Sequence, residues 1–229
     1  MTANSNLASS NVDAAHIQTR LAMQSKLAAP YRTMGKRILD VTLVVLMAPS
    51  VLLVVAVLCL LIVLDGAAPF YRQRRVGRGG KEFSMWKLRS MVPNADTQLA
   101  AYLDQNPEAR AEWDRDQKLT HDPRITRVGR LIRRTSLDEL PQLWNVLKGE
   151  MSLVGPRPMM PCQRSLYPGN EYYEMAPGIT GLWQTSVRNE SSFADRAAFD
   201  AQYHNTLSLG MDLRLLVATV RVVLNATGR

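Results

Sequence analysis

The longest apolar stretch of the chain runs from Val41 to Leu64 and contains no charged residue. As a straight α-helix it would be about 36 Å long, which is enough to cross the hydrocarbon core of a bilayer. Pro49 lies inside the stretch and cannot donate to the carbonyl four residues earlier, so we expect a kink there. The hydroxyl of Ser50 can satisfy an orphaned backbone group. The pattern predicts a membrane-embedded helix that bends near Pro49.

Basic residues flank this stretch on both sides, namely Lys36 and Arg37 before it and Arg72, Arg74, Arg75 and Arg78 after it. The positive-inside tendency places both flanks on the cytoplasmic face. A helix that dips into one leaflet and returns satisfies both flanks, and an ordinary kinked spanning helix remains the alternative. The stretch starts too late in the chain, and lacks the small-residue cleavage site, for a cleaved signal peptide.

The remaining periodic segments predict an α+β fold that is mainly helical. Apolar runs over 70–76 and 83–88, separated by glycines, predict a small β-hairpin. Apolar positions three and four residues apart predict helices over 94–116 with a break at Pro107, around 125–132, from Ser136 or Leu137 to Lys148, over 193–205 and over 211–224. We therefore expect a flexible lead-in over 1–34, the membrane helix over 35–66, and a cytoplasmic catalytic domain with interfacial helices over 67–229.

Composition narrows the choice of partners. The chain has 229 residues and a net charge of +8, with 46% hydrophobic and 21% charged residues. A basic chain prefers anionic partners, which here means phospholipid, nucleic acid or a phosphorylated small molecule. Aromatic residues make up only 7% and do not alternate with basic ones, so nucleic acid is not an expected partner. Cys59 and Cys162 are far apart and lack metal-ligand spacing, which is typical of structural thiols in a reducing compartment.

The acidic pair Asp138-Glu139 has a purely structural interpretation. Ser136 and Glu139 match a capping box, and an acidic residue at 138 then favours the helix dipole. Pro141 conflicts with that reading, because it falls just beyond the positions where a missing N–H has no cost. The conflict predicts a distorted first turn or a later helix start.

The same pair also has a catalytic interpretation. A helix N-terminus can hold a phosphate, and its field, with Arg133 and Arg134 nearby, should keep Asp138 ionised. An ionised carboxylate can attack phosphorus and form an acyl-phosphate. Because a carboxylate and a diphosphate repel each other, basic side chains and a divalent cation must offset that repulsion. Mg²⁺ held by Asp138 and substrate phosphates is the natural choice.

Further basic residues are candidates for binding the substrate phosphates. Lys87 and Arg89 end the second strand of the predicted hairpin, and Arg157 stands between Pro156 and Pro158, which stiffen the backbone around it. Each of these is individually compatible with a solvated or lipid-facing charge. All three are positively charged, so together they require a negatively charged partner, and this favours a site for phosphate.

Several short motifs occur in a characteristic order, namely Lys87-Leu88-Arg89-Ser90-Met91, Asp122-Pro123-Arg124-Ile125-Thr126, the run from Arg133 to Gln142, the run from Asn145 to Ser152, Gly155-Pro156-Arg157-Pro158, and the run from Pro177 to Leu182. From about Gly35 onward, the chain resembles the bacterial sugar transferases. These are the monotopic phosphoglycosyl transferases that start exopolysaccharide and O-antigen repeat units, and the short N-terminus is similar to the small exopolysaccharide-initiating branch.

The resemblance implies an activity and a set of roles. The family moves a phosphosugar from a UDP-sugar to undecaprenyl phosphate and releases UMP. By resemblance, Asp138 is the nucleophile beside Glu139, Mg²⁺ is the cofactor, and the phosphate-binding arginine is Arg157, with Arg133 as a second candidate. The hydrophobic run is implied to be re-entrant in the bacterial inner membrane, with both ends cytoplasmic. The family usually bends this helix at a Ser-Pro pair, whereas this chain has Ala48-Pro49-Ser50.

The sequence says less about which sugar the donor carries and about the oligomeric state of the protein. The run from Gly181 to Gln184, followed by Arg188-Asn189, is similar to the branch that often uses UDP-galactose or UDP-glucose. The amphipathic ends suit either a homodimer or contact with membrane lipid. Two other classes stay open on the residues alone, a membrane-bound phosphohydrolase and a non-catalytic scaffold that binds anionic lipid.

Overall fold

The computed structural model describes residues 30–116, 119–186 and 193–224. Most of the expected lead-in, residues 1–29, lies outside this range, and so does the pair Arg188-Asn189.

A single long helix, α1, spans Lys36–Leu64 and follows a π-helical turn at Tyr31–Gly35. It is long and apolar enough to cross a membrane by length and composition. The helix continues through Pro49 without an intervening loop. The Ser50 hydroxyl donates to the Met47 carbonyl at 2.9 Å, so this side chain does bond to the backbone at the proline, although not to the Val45 carbonyl that Pro49 leaves without its usual donor.

One side of α1 packs against the rest of the protein along its whole length. Val44 belongs to the main core, and Leu58 and Ile62 belong to a second core cluster. Val51 and Val55, between them, are partly buried against the same two clusters. These residues are three, four or seven apart, which places them on one face of a helix. The opposite face exposes an apolar surface that includes Leu46, Leu53 and Leu60.

A buried polar cluster attaches the start of α1 to the C-terminal part of the fold. Asp212 is fully buried and accepts hydrogen bonds from Tyr31, Lys36 and Tyr203, each at 2.6 Å. A buried carboxylate of this kind is tolerated because charge and hydrogen bonds compensate its desolvation. The cluster therefore fixes the N-terminal end of α1.

The predicted hairpin is confirmed. Strands β1 (Phe70–Val76) and β2 (Glu82–Leu88) pair antiparallel, with Phe70 opposite Leu88. The break at Pro107 is also confirmed, because α2 (Ala95–Gln105) and α3 (Pro107–Asp116) are separate helices. The remaining helices are α4 (Arg127–Arg134), α5 (Gln142–Lys148), α6 (Glu171–Glu174), α7 (Leu182–Ser186), α8 (Arg196–Thr206) and α9 (Leu209–Leu224).

Two features differ from the prediction. The expected helix from residue 136 or 137 to Lys148 is wrong in its first part, where a 3₁₀ turn at Leu137–Glu139 precedes α5. Strands β3 (Ser152–Val154) and β4 (Gly178–Thr180), which pair parallel, were not predicted at all.

Helix α9 serves two surfaces. Leu215 is buried in the main core, whereas Leu213, Val217 and Val220 are exposed. One face of α9 therefore seals the core, and the other presents an apolar surface of the kind that contact with a membrane would require.

Candidate active site

Three charged side chains converge at the centre of the candidate site. The ammonium nitrogen of Lys87 lies 3.3 Å from Asp138 Oδ2 and 2.9 Å from Glu139 Oε1. All three side chains are mostly buried. The structure thus brings together the acidic pair and one of the predicted basic residues, which are about fifty positions apart in the chain.

Asn145 sets the position of Lys87 relative to the acidic dyad, the pair Asp138-Glu139. This residue is fully buried on α5, the helix that follows the dyad. Its side chain accepts from the backbone nitrogen of Trp86 at 3.0 Å and donates to the carbonyl of Ser84 at 2.8 Å. Both contacts lie on β2, just before Lys87. Sequence reasoning missed this role, although an asparagine inside an apolar helix is a signal for a buried hydrogen-bonded side chain.

The dyad stands on a tight corner rather than on a helix cap. Ser136 has φ 57° and ψ 19°, the left-handed region that non-glycine residues rarely adopt, and its side chain makes no capping bond. The capping-box interpretation is therefore wrong, and α5 starts only at Gln142 after Pro141. This later start is what the position of Pro141 predicted. A strained residue beside two carboxylates is typical of functional sites.

The protonation of Asp138 is set by opposing effects. Burial is the largest and raises the pKa of Asp138, and the neighbouring Glu139 raises it further. Lys87 and Arg133 lower the pKa, but the net direction is upward from the ordinary value. The pKa of Asp138 is thus governed by burial and by Lys87 more than by the two arginines that the sequence suggested, and Arg134 is exposed. The ionisation of Asp138 stays a prediction.

Arg157 is held in a loop that the β3–β4 pair fixes. The Gly155 nitrogen donates to the Thr180 carbonyl, and the Gly178 nitrogen donates to the Pro156 carbonyl, each at 2.8 Å. A Cβ on Gly155 would lie 2.4 Å from the Ala176 carbonyl oxygen, so this close approach requires glycine. Within the described residues, the Arg157 guanidinium has no hydrogen-bond or ion-pair partner.

The other predicted arginines lie in different environments. Arg133 is half-buried, and its charge acts on both Asp138 and Asp122. Arg89 lines neither of the two cavities described below, and no described contact joins it to the dyad. Its Nε atom is buried without a hydrogen-bond partner in the described chain. The assignment of Arg89 and Arg133 to substrate stays a prediction.

Two cavities meet at Glu139, the second residue of the acidic pair, and Asp138 lines neither of them. The larger, of about 250 Å³, has largely apolar walls, and α1 contributes Met47 and Val51 while α9 contributes Leu216 and Val222. The smaller, of about 20 Å³, is polar and is lined by residues that include Arg75, Lys87 and Gln142. Glu139, Arg157 and Ile179 line both cavities. The site therefore has an apolar side and a polar side that share one acidic group and one arginine.

The acidic pair fits a magnesium ion that also binds substrate phosphates. Asp138 and Glu139 already converge on one positive charge, the Lys87 ammonium group. Mg²⁺ is usually held by one or two carboxylates, with waters and phosphates completing the shell. Among the described residues there is no cluster of three or more histidine, cysteine, aspartate or glutamate side chains. The ligand set thus suits an ion shared with a substrate rather than one caged by protein groups.

Comparison with known proteins identifies the family. The family model for the bacterial sugar transferases matches residues 31–226. The chain therefore belongs to the bacterial sugar transferase family, as the motifs indicated.

Three curated relatives illustrate the family. A UDP-galactose-lipid carrier transferase of Erwinia amylovora is 47% identical over 91% of this chain and 44% of its own length. An undecaprenyl-phosphate galactose phosphotransferase of Salmonella typhimurium is 46% identical over 91% of this chain and 44% of its own length. The exopolysaccharide production protein ExoY of Rhizobium meliloti is 42% identical over 87% of this chain and 89% of its own length. The chain thus spans under half of the first two relatives and most of the third.

Proposed function

We propose that this protein transfers a sugar 1-phosphate from a UDP-sugar to undecaprenyl phosphate, with release of UMP, by a two-step covalent mechanism. The observation that carries the proposal is the meeting of the apolar and polar cavities at Glu139 and Arg157, beside Asp138. A lipid acceptor and a water-soluble donor can then approach Glu139 and Arg157 from two sides. Asp138 lies next to this point, because Lys87 contacts both carboxylates. The names of the relatives, which specify galactose and undecaprenyl phosphate, support the same substrates.

In the first step, a carboxylate oxygen of Asp138 attacks the phosphorus that bears the sugar. A bond forms between that oxygen and phosphorus, and the bond to the bridging oxygen breaks. The electron pair leaves with UMP, and an aspartyl phosphosugar remains on the enzyme. Lys87 and Arg157 oppose the repulsion between the carboxylate and the phosphates.

In the second step, a phosphate oxygen of undecaprenyl phosphate attacks the same phosphorus. The bond to Asp138 breaks, the carboxylate is regenerated, and the product is an undecaprenyl diphosphosugar. The apolar walls from α1 and α9 would hold the first isoprene units of the acceptor. Mg²⁺ bound by Asp138, Glu139 and the phosphates would neutralise charge on the donor.

The cellular setting follows from the exposed faces of the fold. The outer face of α1 and the exposed face of α9 are apolar, which suits lipid contact. Because the inner side of α1 contacts the folded body from Val44 to Ile62, we place both ends of this helix on the cytoplasmic side of the inner membrane. The reaction would be the first membrane step of exopolysaccharide repeat-unit synthesis. Galactose or glucose is the expected sugar.

A transfer assay with the full chain in lipid nanodiscs tests the proposal. The mixture holds Mg²⁺, undecaprenyl phosphate and one radiolabelled donor from a panel that includes UDP-galactose, UDP-glucose and UDP-N-acetylgalactosamine. We expect label in the lipid phase together with UMP. Inorganic phosphate in place of lipid-linked label would instead identify a phosphohydrolase, and no turnover with any donor would favour a lipid-binding scaffold.

The covalent step has its own test. Without acceptor, labelled UMP should exchange into the UDP-sugar, because the first step is reversible. Asp138→Asn should lower this exchange by about 10³-fold or more, as expected for loss of a nucleophile. The variant should keep the wild-type melting temperature. Exchange near the wild-type rate in Asp138→Asn would overturn the assignment of the nucleophile.

A further inference from the structure

A second group of basic side chains lies near the polar side of the site. Two of them line the smaller cavity, and the third, Arg196, lines neither cavity but is close enough for its charge to interact with those of the other two. Arg75 on β1, Arg157 in the loop after β3, and Arg196 at the start of α8 come from three separate parts of the chain. All three are half-buried. Arg75 and Arg157 line the smaller cavity together with Lys87 and Glu139.

Arg75 forms no ion pair with a carboxylate within the described residues. It donates to the Pro158 carbonyl at 2.9 Å and to Gln73 Oε1 at 2.6 Å, and neither acceptor is charged. Its Nε atom is buried and has no partner in the described chain. The bond to Pro158 places the guanidinium next to the segment that carries Arg157.

Among the residues that the structure describes, Arg196 contacts two aromatic rings and forms no ion pair. Its guanidinium lies 4.2 Å from the ring centre of Trp183 and 4.8 Å from that of Phe193. The carboxylate that acts on it, Asp200, accepts a hydrogen bond from Tyr167 at 2.8 Å, and burial raises the pKa of Asp200 to about 6. Asp200 is mostly ionised at pH 7 and raises the pKa of Arg196, but the net direction for Arg196 is still downward, so Asp200 offsets only part of the unfavourable effects.

The three guanidinium groups repel one another. Burial and then the charge of Arg157 lower the pKa of Arg75 to about 10, and the same two causes lower the pKa of Arg196 to about 10. Asp200 and Glu139 offset this repulsion only in part, since the net pKa shifts of Arg196 and Arg75 are downward. A ligand with negative charge would offset the rest.

We propose that Arg75 and Arg196 act with Arg157 to bind the diphosphate of the nucleotide-sugar donor, which makes Arg75 and Arg196 additional donor-binding residues. The inference rests on the proposed function, because it assumes a nucleotide diphosphate sugar as substrate. Guanidinium groups match phosphate oxygens in pairs, and a diphosphate carries enough charge for several of them.

The donor fits this position better than the acceptor phosphate. The smaller cavity is lined by no residue of α1 or α9, the helices whose exposed apolar faces suit lipid contact. A phosphate on an isoprenoid chain would enter from the larger cavity, where α1 and α9 form the walls. The arginine group therefore lies on the side that a water-soluble nucleotide would use.

The test compares binding of UDP and of uridine to the full chain in nanodiscs by calorimetry. Arg75→Met and Arg196→Met should each raise the Kd for UDP by about 10- to 100-fold and leave the Kd for uridine within about 3-fold. The KM for undecaprenyl phosphate should not change. The matched control is Arg74→Met, which removes an exposed charge from the same strand, where Arg74 pairs with Glu82 at 2.7 Å. This control should bind UDP as the wild type does.

Three results would overturn the inference. They are an unchanged Kd for UDP, an equal loss for uridine and UDP, and a rise in the acceptor KM alone, which would assign the arginines to the lipid phosphate. Arg75→Lys keeps the positive charge, so it distinguishes an effect of charge on UDP binding from an effect of the lost contact with Pro158. If Arg75→Met does not fold, Arg196→Met alone provides the test. Since binding needs no turnover, arginine-dependent UDP binding without any transfer would contradict the proposed function and not this inference.

Discussion

The side-chain oxygen of Asn145 accepts a 3.0 Å hydrogen bond from the backbone nitrogen of Trp86, the residue before Lys87. The same side chain donates to the Ser84 carbonyl at 2.8 Å and to Glu150 Oε2 at 2.6 Å. One buried amide thus joins the helix after the acidic pair to the strand that carries the neighbouring lysine.

Asn145→Ala should therefore lower both stability and activity. It leaves the Trp86 N–H and the Ser84 carbonyl without their partner, which predicts a loss of about 2–3 kcal/mol in the free energy of unfolding. Because Lys87 then moves relative to Asp138, the transfer rate should fall by more than the loss of folded protein explains. Urea unfolding and a transfer assay measure the two effects. Asn106→Ala is the control, since Asn106 bonds only locally to the Tyr102 carbonyl at 2.8 Å. Equal stability of the two variants would contradict the role of Asn145.

Lys87→Met should move the acid limb of the pH–rate profile to higher pH. In the proposed mechanism the attacking form of Asp138 is the carboxylate, so activity should fall as the pH drops through the pKa of Asp138. Burial raises this pKa and the charge of Lys87 lowers it, so removing that charge raises the pKa further. The measurement is kcat against pH with both substrates saturating. Lys81→Met, at the far end of the hairpin, should leave the limb in place. An unmoved limb in Lys87→Met would show that Lys87 does not govern the ionisation of Asp138.

Asp200 should make the folded protein less stable as the pH rises from about 4 to about 6. Burial raises the pKa of Asp200 from 3.8 to about 6, so the folded chain binds this proton more tightly than the unfolded chain. The stabilising effect is complete below the unfolded pKa and is lost as the pH passes the folded one. It amounts to about 2–3 kcal/mol. Asp200→Asn, which can keep the bond from Tyr167, should flatten the curve of stability against pH in this interval. Parallel curves for the two proteins would count against the shift.

The two ends of α1 should be reachable from the same side of the membrane. In a background with Cys59→Ala and Cys162→Ala, the exposed positions Met34 and Arg74 can each be changed to cysteine. A water-soluble maleimide should label both from the cytoplasmic side only. Cysteine at Leu53, on the exposed apolar face, should stay unlabelled in membranes. Labelling of the first two positions from opposite sides would mean that the helix spans the bilayer.

The parts of the fold that follow from local pattern were predicted well. The long apolar helix, the hairpin and the break at Pro107 each rest on neighbouring residues, and each is present. Strands β3 and β4 are three residues long and pair across about twenty-five positions, so no local periodicity marks them. Their absence from the prediction has a physical reason, because their pairing depends on contacts that only the folded chain makes.

The candidate site shows the same division. The acidic pair and its basic neighbours could be selected from the sequence, and Lys87 was among them. The left-handed turn at Ser136 was not predictable, because serine at that position also reads as a helix cap. The upward direction of the pKa shift of Asp138 was not predicted, because burial, which has the largest effect, is a property of the folded chain.

Met47 and Val51 of α1 form part of the wall of the larger cavity, close to Ser136 and Glu139. In the proposed membrane setting, the helix that faces lipid on its outer side is thus also part of the cavity where the reaction would occur. Any agent that changes the packing of α1, such as a detergent, a thinner bilayer or an amphiphilic drug, would then act on the proposed turnover directly and not merely on the attachment of the protein. The proposed function thus predicts inhibitors that enter from within the membrane and compete with the lipid and not with the nucleotide.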